Sequence, residues 1–166
     1  MNKGRVWKYG DDVNTDVIFP GKYTYQPMEP AEMAKHAMED LDPDFAKNVQ
    51  PGDILVAGKN FGCGSSREQA ATCLKAAGVA AVVAPSFSRI FFRNAINSGL
   101  PVIELATGTE KMETGDQVKI DFEAGILRHD GAEYRFPALP PEVLAILEDG
   151  GLIPHVKKVL EKKPVS

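Results

Sequence analysis

Gly58-Lys59-Asn60-Phe61-Gly62-Cys63-Gly64-Ser65-Ser66-Arg67-Glu68-Gln69-Ala70-Ala71 is the stretch from which the rest of the chain is read. Upstream, Asp53-Ile54-Leu55-Val56-Ala57 is a short apolar run of buried-strand type. Downstream, Ala70 to Ala77 has helical composition and stops at Gly78. The order is therefore strand, glycine loop, helix. Three glycines in the loop let backbone approach a ligand closely. The free N–H groups and positive dipole end of the following helix suit an anion. Arg67 adds a planar fork for carboxylate or phosphate. The segment reads as a carboxylate-binding loop with a serine placed for chemistry. Ser65-x-x-Glu68 also matches a capping box, which starts a helix with no chemistry at all. The glycine spacing is not G-x-G-x-x-G, and no G-K-[ST] ending follows, so a nucleotide site is poorly supported.

A chain of 166 residues is long enough for one domain, 1–166, with a substantial core. The net charge of −4 gives no encouragement to nucleic-acid or anionic-membrane binding. No apolar run approaches the ~20 residues of a membrane span. The N-terminal residues lack the apolar core of a signal peptide, which makes the cytoplasm the expected compartment. The two cysteines are Cys63 in the loop and Cys73 in the helix. If the helix runs from Ser66, Cys73 lies ~10 Å along its axis, beyond the reach of a disulfide. Two free thiols are expected, and two cysteines cannot supply the usual four ligands of an iron–sulfur cluster. His36, His129 and His155 make no metal-ligand spacing, so no metal site is expected on this chain.

Along the chain, Arg5 to Tyr9 alternates like a strand. Asp11 to Asp16 is a polar turn before apolar Val17-Ile18-Phe19 and a Pro20-Gly21 turn. Lys22 to Pro30 reads as a loop, Pro30 to Asp40 as a helix, and Asp42 to Val49 as a shorter one. Ala80 to Ala84 and Pro101 to Leu105 are further buried strands. Between them a helix from Phe87 to Ser98 is capped by Ser86 and closed by Gly99. Strands alternating with helices predict α/β architecture with crossover helices. From Gly115 the pattern becomes a meander, with strands at Gln117–Phe122, Ile126–Arg128 and Tyr134–Phe136. Pro141 to Asp149 and Leu152 to Lys163 are terminal helices, the last one basic.

Other residues could carry chemistry. Acidic turns usually bond their own backbone, which covers Asp11 and Asp12. Asp16 abuts a buried-looking run and is the stronger candidate acid. Arg89 and Arg93, one helical turn apart, could reach the pocket of Arg67 or pair with surface carboxylates. The Tyr23-Thr24-Tyr25-Gln26 run offers aromatic and amide groups without charge. That would suit an apolar substrate tail or a neighbouring subunit.

Three ordered segments now carry a resemblance: Asp11-Asp12-Val13-Asn14-Thr15-Asp16, Asn60 through Glu68, and Ser88-Arg89-Ile90-Phe91-Phe92-Arg93-Asn94-Ala95. Together they resemble the small subunits of 3-isopropylmalate dehydratase type in the aconitase superfamily, over Arg5 to Leu160. The resemblance implies a swivelling β/β/α domain, with mixed sheet and flanking helices, that closes over a cluster-bearing large subunit. Family members dehydrate and rehydrate hydroxy acids. By this match Ser65 is the base that takes a proton from carbon. Ser66 and Arg67, with Gly64, bind substrate carboxylate, and Asp16 is an active-site acid. The 4Fe–4S cluster is expected on the large partner and no cofactor on this chain, which alone could self-associate. The substrate is a small hydroxy-dicarboxylate, and the run Tyr23, Thr24, Tyr25, Gln26 occupies the family's substrate-selecting segment. It lacks the arginine that homoaconitases of this type often place there. A malate with a small apolar substituent is therefore expected, isopropylmalate first and 2,3-dimethylmalate second, ahead of homoaconitate. A non-enzymatic carboxylate-binding module is the alternative of another class.

Overall fold

The computed structural model describes residues 2–162. One seven-stranded mixed sheet organises them, in the order β4-β3-β2-β1-β5-β6-β7. The parallel half comprises β1 (Asn2–Lys8), β2 (Ile54–Val56), β3 (Ala81–Ala84) and β4 (Val102–Glu104). The antiparallel half comprises β5 (Gln117–Asp121), β6 (Ile126–His129) and β7 (Ala132–Arg135), joined to β1 through β5. Val6 pairs with Ile54, Leu55 with Val82, and Val83 with Ile103, in parallel register.

The unbroken apolar runs at β2 and β3 follow from burial on both faces. Leu55 and Val82 point into a core with Phe19, Phe45, Phe61, Leu74 and Phe91, on the helical side. Ile54, Val56, Ala81 and Val83 point the other way, onto Val118, Ile120, Leu127 and Phe136. The sheet curls, and the meander β5–β7 covers the face the helices leave open. β2 and β3 thus serve two cores by the two-residue alternation of their side chains.

The helices are α1 (Thr15–Ile18), α2 (Pro30–Ala34), α3 (Phe45–Asn48), α4 (Glu68–Ala76), α5 (Arg89–Asn97), α6 (Pro141–Glu148) and α7 (Leu152–Lys162). Three readings of the sequence are corrected here. The helix expected over Pro30–Asp40 ends at Ala34, because Met38 turns to φ +60° and donates its N–H to Ile18 O at 2.8 Å. That exchange buries Ala37 and Met38 completely. Ser86 does not cap α5; Ser88 does, accepting from Phe91 N at 3.2 Å, while Ser86 Oγ accepts from Asn60 N. The box Ser65-x-x-Glu68 does not form: α4 begins one residue after extended Arg67, with no side chain capping it. The expected terminal helix is present as α7, and Lys163 lies outside the described residues. No helix among the described residues is long and apolar enough to cross a membrane.

Candidate active site

β1, β2 and β3 are parallel, so the loops leaving their C-terminal ends gather at one edge of the sheet. That edge is the customary ligand side of a parallel sheet. The loop after β2 is laced to the loop after β1. Asp11 Oδ1 accepts from Lys59 N at 2.7 Å, and Asn60 Nδ2 donates to Asp12 Oδ1 at 3.1 Å. Asp11 and Asp12 therefore fasten loops. Further on, Gly62 N donates to Val13 O at 2.7 Å, and Thr15 N to Cys63 O at 2.9 Å. The buried hydroxyl of Thr15 donates to Ser65 O at 2.8 Å.

The loop after β3 holds the same segment from the other side. Phe61 stacks edge-on against Phe91 at 5.1 Å, and Ser88 Oγ donates to Gly62 O at 2.8 Å. Gly62 and Gly64 both take positive φ, +80° and +92°. At Gly62 a Cβ would lie 2.3 Å from the Phe91 ring, whereas at Gly64 the nearest atom would be 3.6 Å away. Gly62 is thus fixed by packing and conformation together, and Gly64 by conformation alone.

Beyond Gly64 the chain emerges. Ser65 and Ser66 are exposed, and among the described residues no hydrogen bond involves either hydroxyl. Arg67 turns back inward with only 8 % of its side chain exposed. Its Nη2 donates to Phe19 O at 2.6 Å and meets Asp16 Oδ1 at 2.8 Å. Its Nη1 donates to Thr24 Oγ1. Its Nε is buried with no partner. Asp16 is 67 % exposed, so its carboxylate lies at the mouth of the site.

The structure therefore brings Asp16, Gly64, Ser65, Ser66 and Arg67 to one edge, with the Tyr23–Gln26 run beside them. Tyr23 is half-buried, its ring 4.2 Å from that of His36. Tyr25 is 97 % exposed, and Gln26 is exposed as well. Arg89 and Arg93 do not join Arg67. Both stand exposed on α5 beside Phe87, Phe92 and Glu104. Gln69 was not singled out by sequence, yet its Nε2 donates to Thr24 O at 3.1 Å. No local pattern marks it, since its partner lies on another loop.

Both cysteines are free, as the spacing predicted. Cys63 is half-exposed near Ser65, while burial pushes the Cys73 thiol far above its usual range. Among the described residues no grouping of His, Cys, Asp and Glu could hold a metal ion. The donors of this chain do not fit an iron–sulfur cluster.

The site is an open edge rather than an enclosed pocket. The hollow of ≈ 480 Å³ between Phe122 and Leu144 contains none of its residues. What the edge offers is an exposed hydroxyl pair ahead of α4, an exposed carboxylate and, behind them, a guanidinium almost wholly shielded from solvent.

Residues 12–108 match the family model described as the aconitase C-terminal domain. A 3-isopropylmalate dehydratase small subunit 1 from Thermotoga maritima is 53 % identical over 160 residues, covering 95 % of this chain and 96 % of its own. A methanogen homoaconitase small subunit from Methanothermobacter thermautotrophicus is 51 % identical over 161 residues, covering 96 % of this chain and 92 % of its own. The solved structure of a 3-isopropylmalate dehydratase from Methanocaldococcus jannaschii is 43 % identical and superposes with a TM-score of 0.89 over 98 % of both chains. With its mixed sheet, its exposed serine pair and its full-length likeness to these proteins, this chain belongs to the aconitase C-terminal domain family, among the small subunits of 3-isopropylmalate dehydratase type.

Proposed function

We propose that this chain is the small subunit of a cytoplasmic hydro-lyase that converts 2-isopropylmalate to 3-isopropylmalate, a step of leucine biosynthesis, by removing and re-adding water. The observation that carries the reading is the half-built site: Ser65, Ser66 and the Asp16 carboxylate stand exposed at one edge with Arg67 held just beneath them, and among the described residues none covers that edge. A second protein surface must close it to exclude water and hold substrate. We assign that surface to a large subunit, over which this chain acts as one swivelling domain. The 4Fe–4S cluster proposed for that subunit supplies Lewis-acid chemistry at the leaving hydroxyl.

This chain's residues do the rest. Ser65 Oγ takes the proton from the carbon next to the departing hydroxyl and returns it on rehydration. A serine oxygen is a weak base unless its anionic form is stabilised, and the uncapped N–H groups heading α4 stabilise it. Arg67 holds a substrate carboxylate, with Ser66 and the Gly64 backbone beside it. Arriving substrate replaces Asp16 at Nη2, and Asp16 is then free to take part in proton traffic.

Overall identity does not separate the substrates, since an isopropylmalate enzyme and a homoaconitase match almost equally. The loop supports the choice. Arginine is absent from residues 22–30, leaving Lys22 as the cation, and its side chain extends toward Glu39 and the Tyr23 ring. An extra carboxylate finds no fork there. The ring of Tyr25, open to solvent, suits a branched alkyl group.

The test is reconstitution with the large subunit and comparison of kcat/KM for 3-isopropylmalate, 2,3-dimethylmalate and homoaconitate. We expect the isopropyl acid to lead, and no turnover by the isolated chain. A preference of about tenfold for homoaconitate, ~1.4 kcal/mol, contradicts the loop assignment. Binding of these acids without turnover by the complex would identify a carboxylate-binding module instead.

A further inference from the structure

Thr24 is held from two directions. Arg67 Nη1 donates to its hydroxyl, and that hydroxyl passes its own proton to Gly21 O at 2.7 Å. Gln69 Nε2 donates to its carbonyl at 3.1 Å. With its proton committed to Gly21, the Thr24 oxygen presents a lone pair to Arg67 in one orientation. Phe19 O fixes the other end of the same guanidinium at 2.6 Å. Thr15 O at 3.3 Å and Asp16 join Phe19 O on Nη2, and Thr24 is the partner on Nη1, so the plane of the group is fixed across its two ends and Nε is held in a set direction. The neighbours of Thr24 are the two tyrosines, Tyr23 leaning on Phe19 and His36, and Tyr25 standing in solvent.

We propose that Thr24 and Gln69 are positioning residues that join substrate choice and carboxylate binding into one rigid unit. Thr24 sets the plane of Arg67 through its hydroxyl. Gln69 fixes the backbone that presents Tyr23 and Tyr25. This rests on the function proposed above, in which Arg67 meets a carboxylate and the loop meets the substituent. The two residues then have separable signatures. Removing the Thr24 hydroxyl loosens Arg67 and the loop together. Removing the Gln69 amide loosens the loop while Arg67 keeps the Nη2 contacts that lie outside it, to Phe19 O, Thr15 O and Asp16.

The experiment uses Thr24→Val, Thr24→Ser and Gln69→Leu in the reconstituted two-subunit enzyme, with 3-isopropylmalate and 2,3-dimethylmalate as probes. Thr24→Val should raise KM for both acids by about tenfold and also narrow the ratio of their kcat/KM values. Thr24→Ser, which keeps the hydroxyl, should restore both. Gln69→Leu should narrow the ratio by about fivefold with less than about a twofold change in KM for the smaller acid. Lowered thermal stability with an unchanged ratio in Thr24→Val and Gln69→Leu would overturn the proposal. Should the wild-type complex turn over neither acid, the functional reading fails and the clamp is judged on the isolated chain. There the Thr24 and Gln26 amides, bonded to Gly21 O and Tyr23 O at 3.1 Å, should exchange with solvent about tenfold faster in both variants. Unchanged exchange would overturn the clamp itself.

Discussion

Arg67 does at the residue scale what no lysine could. One planar group reaches Phe19 O, Thr15 O, Asp16 and Thr24 from a side chain almost wholly shielded from water. Arg67→Lys supplies one point charge where four partners were met, leaving buried acceptors short of donors. We expect KM for the substrate to rise at least about tenfold and stability to fall by ~1–3 kcal/mol. Steady-state kinetics of the reconstituted enzyme and thermal unfolding of the variant check the two halves. An unchanged KM would remove Arg67 from substrate binding. The loop between strand and helix was legible in the sequence, but Ser65-x-x-Glu68 alone reads as a capping box, and roles for these residues came only with the resemblance of three ordered segments. Their partners were not legible. Asp16 and Gln69 acquire their roles from chain that arrives from distant positions, and only the folded backbone sets the 2.8 Å and 3.1 Å contacts.

At the scale of elements, the loop between β2 and α4 is fixed by three neighbours at once: the β1 loop, the β3 loop and α5. Gly62 and Gly64 separate two kinds of constraint within it. Gly62→Ala drives a methyl into the Phe91 ring and strains a left-handed backbone, and should cost ~3 kcal/mol or more. Gly64→Ala meets only ordinary contacts and should cost ~1 kcal/mol. Denaturant titration of the two variants measures the difference, and equal losses would contradict the geometry. Alternating and fully apolar runs located all seven strands in the sequence to within a few residues. Helix ends were less legible, for a physical reason. Met38 leaves α2's path because Ile18 O offers its amide a better partner, and Ser88 rather than Ser86 caps α5 because Ser86 is engaged with Asn60. Each of these outcomes is a tertiary competition that local pattern cannot weigh.

For the whole molecule, the curl of the sheet sets a core on each face of its parallel half and leaves the edge that carries Ser65 and Ser66 exposed. The alternation of strands and helices followed by a meander was legible, while the folding of the meander over the second face depends on residues far apart in the chain, Ile54 and Val118 among them, sharing one core. Two carboxylates secure the outer parts. Backbone N–H of Glu113, aided by His129, holds the Asp116 carboxyl below its usual 3.8. Lys158, aided by His155, does the same for Asp149 where α6 meets α7. A lowered folded-state pKa means stability that is present above about pH 4 and is lost as pH falls through the lowered value. Thermal unfolding followed from pH 6 to pH 2 should show that loss, and it should be shallower in Asp149→Asn; identical profiles would contradict the assignment. The central claim, that the exposed edge is half of a catalytic site and that Ser65 moves the proton, is tested most directly by kcat of Ser65→Ala in the reconstituted two-subunit enzyme. The account predicts a fall of at least about a hundredfold with KM changed by less than about threefold, because the hydroxyl acts in the transition state. A near-normal kcat would show that Ser65 has no chemical role at this edge.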